Sequence, residues 1–100
     1  MDITLSHGTY SNCAVKLERY SNNRPALVIY QNDEVLLKAS VNMPEHPIEE
    51  NHICIKNWSE NKGILKELIK HNIVSNPIYF IRSGYVDVPV CELLIKEPTE

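Results

Sequence analysis

His52 and Cys54 are the residues whose types and spacing come nearest to chemistry, because two positions apart on an alternating stretch they share one face of a strand. An imidazole beside a thiol can begin a metal site or activate a nucleophile. A structural zinc site needs four ligands, and His7, His46 and His71 are far along the chain from this pair, so no ligand set is expected. Nucleophilic catalysis needs Cys or Ser next to a base that a third group orients, and no such motif is present, which leaves Cys54 near His52 as a weak candidate. Glu49 and Glu50 are paired carboxylates, but as chain neighbours in a polar segment they fit solvation better than acid–base work. The three glycines are scattered, so no phosphate-cradling loop can form. The sequence therefore predicts no catalytic residue, no metal and no cofactor.

Composition narrows the remaining classes. A chain of 100 residues with 43% hydrophobic and 23% charged residues suits one globular domain spanning 1–100. Three cysteines, Cys13, Cys54 and Cys91, are odd in number and widely spaced, which predicts reduced thiols packed in a core. No stretch has the roughly 20 apolar residues a membrane span needs. The first ten residues lack the basic and apolar regions of a secretion signal, so the expected location is the cytoplasm of its host. A net charge of −3 argues against direct nucleic-acid binding, which calls for clustered Lys and Arg, and leaves room for a basic macromolecular partner.

The elements that must position these residues follow from periodicity. Cys13, Val15 and Leu17 alternate with polar neighbours as one strand, with residues 3 to 10 as a partner strand before it. Ser21-Asn22-Asn23-Arg24-Pro25 is a turn into a second apolar run, Ala26 to Tyr30. Gln31 to Glu34 turns again, and Val35, Leu37, Ala39 and Val41 then share a face. A short strand, His52 to Lys56, leads into Asn57 and Glu60, which have capping-box spacing, with Ser59 as a competing cap. Ile64, Leu65, Leu68 and Ile69 mark one helix face, ending at His71-Asn72. A hairpin turning at Ser83-Gly84 closes the chain, with Val86, Val88 and Val90 on one face. Pro89 should place that last strand at an edge or on a bulge, and residues 96 to 100 should fray. The predicted fold is α+β, a mostly antiparallel sheet of about six strands with one helix on a face.

Between Asn42 and Asn51, two prolines and three glutamates fit neither period, so this segment reads as an exposed acidic loop. It runs towards Trp58, the single tryptophan, which is either a core plug or a binding anchor. Glu45, Glu49, Glu50, Trp58 and Glu60 are the candidate partner-binding residues.

The segments 20–27, 41–44, Lys56-Asn57-Trp58-Ser59-Glu60-Asn61 and 84–91 together resemble a family of small uncharacterised proteins carried on plasmids, conjugative elements and phages. The resemblance covers about Tyr20 to Leu93, and its central hexapeptide is its most specific part. It carries no established chemistry. Its genetic setting implies an anti-defence role, such as an anti-CRISPR inhibitor that binds a CRISPR-associated nuclease or effector ribonucleoprotein. The alternative is an accessory or regulatory module that binds another protein or a small ligand.

Overall fold

The computed structural model describes residues 1–96, so the expected fraying of the last residues lies, beyond an exposed Lys96, outside the described residues. The chain runs through β1 (Ile3–Leu5), β2 (Gly8–Tyr10), β3 (Cys13–Arg19), β4 (Pro25–Gln31), β5 (Glu34–Lys38), β6 (His52–Cys54), a 3₁₀ turn (Ser59–Asn61), α1 (Ile64–Lys70), β7 (Tyr79–Ser83) and β8 (Val86–Glu92). The class is α+β, as the periodicity predicts. The strands form three antiparallel sheets instead of one: β1-β2, β3-β4-β5 and β6-β8-β7.

Residues just beyond the strand ends join these sheets. Ser40 bridges Ile55, the Val41 amide donates to the Cys54 carbonyl at 3.0 Å, and the Lys56 amide donates to the Ala39 carbonyl at 2.9 Å. The two three-stranded sheets thus follow one another along a single antiparallel path of six strands. Residues 3 to 10 do not form one partner strand for β3. They fold back at Ser6-His7 and pair with themselves, and Met1 tethers the hairpin to β3 by exchanging bonds of 2.9 and 2.8 Å with Cys13.

Turn chemistry sets the registers. Asn32 and Asp33 both adopt positive φ, 51° and 68°, the two-residue hairpin geometry whose twist matches paired strands. The β4–β5 register then shifts between Ile29 and Tyr30, so that Leu37 faces Ile29 while Val35 faces Tyr30, leaving Leu36 as the extra residue. This bulge breaks the expected shared face: Leu37 turns inward, and Val35 is left 61% exposed.

Pro89 also departs from its expected place, since β8 is the central strand of its sheet. Its carbonyl accepts the Ile55 amide at 2.9 Å, which turns its backbone towards β6. A hydrogen-bonded antiparallel pair exchanges two bonds, and proline can supply only the acceptor. Regular β6–β8 pairing accordingly stops at Cys54–Val90, and the β6 chain passes over to Ser40.

The helix starts later than the sequence suggests. Ser59, at φ 58°, opens a 3₁₀ turn, and α1 begins only at Ile64 after a left-handed Gly63. Asn57 still caps it from a distance, its Oδ1 accepting the amides of Gly63 at 3.3 Å and Leu65 at 3.0 Å. Glu60 does not complete the expected capping box, because its carboxylate pairs with Lys56. The other end matches expectation. Asn72 takes the left-handed conformation, its amide donates to Ile69, and the Ile73 amide reaches back to Leu68, which satisfies those two carbonyls in the last turn of the helix.

Two apolar clusters fill the interior. The larger joins Ile3 and Leu5 of β1, Val15, Leu27 and Ile29 of the first large sheet, Ile53, Ile55 and Cys91, and Ile64 and Leu68 of α1. The smaller consists of Cys54, Ile81, Val88 and Val90, closed over by Val41, Met43, Ile48 and Trp58. Alternation along β6 and β8 divides their side chains between the two clusters.

Candidate interaction surface

The acidic loop of residues 42–51 is a braced structure. Arg24, in the turn between β3 and β4, sends Nη1 to the Met43 carbonyl and Nη2 to the His46 carbonyl, both at 2.6 Å. A planar guanidinium holds two acceptors in fixed relative positions, so the clamp sets the shape of the turn that carries Glu45. Within that turn the His46 amide donates to Met43 at 3.1 Å. Met43 and Ile48 point down onto the smaller cluster, so the loop is anchored by apolar contact as well.

Glu45, Glu49 and Glu50 are all exposed on this braced loop. Glu49 and Glu50 line a shallow groove with Arg19, Asn23, Arg24 and His52. Glu60 belongs to a different neighbourhood. Its carboxylate lies 3.1 Å from Lys56 Nζ, and that hydrogen-bonded ammonium holds its pKa below the usual carboxylate value. It lines a second groove with Tyr20, Lys38 and Lys56, where Tyr20 and Ser40 hydroxyls meet at 2.7 Å. The structure thus brings Glu49 and Glu50 together and sets Glu60 among lysines. Trp58 is half-buried, its ring part of the cover over Cys54, Ile81, Val88 and Val90.

His52 and Cys54 are close in sequence but not arranged for catalysis. The imidazole lies edge-on to Tyr79 with ring centroids 6.4 Å apart, and its Nδ1 is buried without a hydrogen-bond partner among the described residues. Burial pushes the Cys54 thiol up despite the nearby Arg24 charge, so the thiolate is disfavoured. Burial likewise raises Cys13 and lifts Cys91 to about 11. All three cysteines are free and buried, each in a strand. Among the described residues, no group of three or more His, Cys, Asp and Glu is placed to hold a metal ion, and no helix is long and apolar enough to cross a membrane.

Sequence reasoning missed the open edge at β7. Ile78-Tyr79-Phe80-Ile81 is a continuous apolar run, a pattern that suggests a strand covered on both faces. Instead, among the described residues, β7 has only β8 beside it, leaving Ile78 52%, Phe80 58% and Tyr85 98% exposed. Arg82 lies in the same strand, with Nη1 3.3 Å from Asp87 across the hairpin. The sequence signal that could have exposed it is Asn76-Pro77 immediately before the run, a dipeptide that marks a turn into the strand. No family model, no curated protein and no solved structure matches this chain.

Proposed function

We propose that this is a non-catalytic binding protein whose braced acidic loop engages a macromolecular partner with a basic surface. Following the resemblance in its sequence, that partner is a host defence nuclease, a CRISPR-associated effector complex, which the protein inhibits by occupying it. The observation that carries the reading is the Arg24 clamp on Met43 and His46, which fixes a loop whose Glu45, Glu49 and Glu50 are free to face a partner. Binding residues concentrate on loops that a rigid scaffold positions, and a preset loop loses less conformational freedom on binding. The raised, buried thiols support a binding role over nucleophilic chemistry.

The test is recovery of a partner from the bacterial host followed by association kinetics at two ionic strengths. Changing Glu45, Glu49 and Glu50 together to Lys should slow association and flatten its salt dependence, with melting temperature unchanged. A triple variant that associates and inhibits like the wild type would place the partner-binding face elsewhere.

A further inference from the structure

The edge of β7 has the geometry of a self-pairing strand. Pro89 directs its carbonyl to Ile55 on the β6 side, so the Phe80–Pro89 pair is one of the non-hydrogen-bonded positions of the β7–β8 ladder. The backbone N–H and C=O of Phe80 therefore point away from β8, and so, two residues on, do those of Arg82. Natural edges are commonly blunted by lysine, proline or a bulge. β7, Tyr79-Phe80-Ile81-Arg82-Ser83, contains no lysine or proline, and its register with β8 is unbroken.

We propose that two copies of this chain pair through β7, antiparallel and two-fold symmetric about Ile81. This register puts Phe80 opposite Arg82 of the second copy and Arg82 opposite its Phe80, so each outward-facing backbone group finds a complement. The same register makes the side chains self-complementary. Phe80 is 58% exposed, and the Arg82 side chain is 63% exposed on the same face, so each guanidinium comes to lie beside an aromatic ring. The charge of Arg82 is matched within its own hairpin by Asp87, so the two copies approach without unpaired like charges. The sheet β6-β8-β7 continues across the two-fold axis into its copy. A strand pair this short buries less than the roughly 1,000 Å² of a strong interface, so the dimer is weak and concentration-dependent.

Sedimentation velocity and amide hydrogen exchange over about 10 μM to 1 mM test this, the range suited to a small interface. The wild type should shift from monomer to dimer, with the Phe80 and Arg82 amides gaining protection as it does. Phe80→Lys, which sets an ammonium against the facing Arg82, should weaken the dimer about tenfold or more, because two pairs are lost per dimer. Phe80→Glu, which sets a carboxylate there, should keep the affinity within about threefold. A wild type that stays monomeric throughout, or a Phe80→Lys variant that pairs as well as wild type, overturns the proposal. Loss of pairing in both variants at unchanged melting temperature overturns the register.

Discussion

Replacing Arg24 with alanine removes both hydrogen bonds that hold the carbonyls of Met43 and His46, each 2.6 Å long. A hydrogen bond to a charged group contributes about 1.5–3 kcal/mol, so an upper bound for the pair is about 3–6 kcal/mol. Arg24 is only half-buried, however, and water can reach the freed carbonyls, which brings the expected loss to about 1–2 kcal/mol. For a domain of this size that is a fall in melting temperature of about 4–16 °C. Arg24→Lys should fall between, since one ammonium keeps the charge but cannot span both acceptors in a fixed fork. Thermal melting gives the total, and hydrogen exchange locates it: the His46 amide, bonded to Met43 inside the clamped turn, should exchange faster in both variants. An alanine variant with wild-type melting and an unchanged His46 amide would mean that Met43 and Ile48 hold the loop without the guanidinium.

Leu68→Ala empties a fully buried site between α1 and the larger cluster and should cost about 2–5 kcal/mol in chemical denaturation. Asn57→Ala leaves the Gly63 and Leu65 amides uncapped and should cost about 0.5–2 kcal/mol, while Asn57→Asp, which keeps the acceptor at a helix start, should stay near wild type. The three thiols should resist alkylation in the native protein and react fully once it unfolds, because burial raises all three. The raised Cys91 favours the folded state fully below its ordinary 9.0, and that contribution is lost as pH rises from 9.0 through about 11, which an alkaline denaturation series of wild type against Cys91→Ala measures.

Most of the fold was legible in the sequence because local patterning and burial agree. Cys13 and Val15, then Val88 and Val90, alternate in sequence and are buried in the structure. The Asn72 cap followed from the same local logic, since asparagine tolerates the left-handed conformation that ends a helix. What escaped depends on chain–chain register that no local window contains. Val35 fits its alternation until the β4–β5 bulge shifts it outward, and Pro89 reads as an edge residue although it sits in a central strand, where regular β6 pairing stops beside it. At the candidate surface, the exposure of Glu45, Glu49 and Glu50 was readable from two prolines and a lost period. The Arg24 clamp was not, because it links positions 19 and 22 residues apart through a side chain that looked like part of a turn.

The hexapeptide from Lys56 to Asn61 is occupied by structural tasks. Lys56 pairs with Glu60, Asn57 caps α1, and Asn61, only 1% exposed, donates to the Lys38 carbonyl at 2.6 Å and so fixes the end of β5. Ser59 supplies the left-handed turn between them, and Trp58 roofs the smaller cluster. One short segment thus ties together β5, α1 and the sheet of β6, β8 and β7. A substitution there disturbs several contacts at once, so loss of binding in a Trp58→Ala variant would report on the roof over Cys54, Ile81, Val88 and Val90 as much as on any contact with a partner. Glu45, Glu49 and Glu50 are different: their side chains are exposed, and changing them leaves the Arg24 clamp and the apolar anchors Met43 and Ile48 in place. Substitutions at those three positions therefore test the proposed recognition without disturbing the fold, which changes within the hexapeptide cannot do.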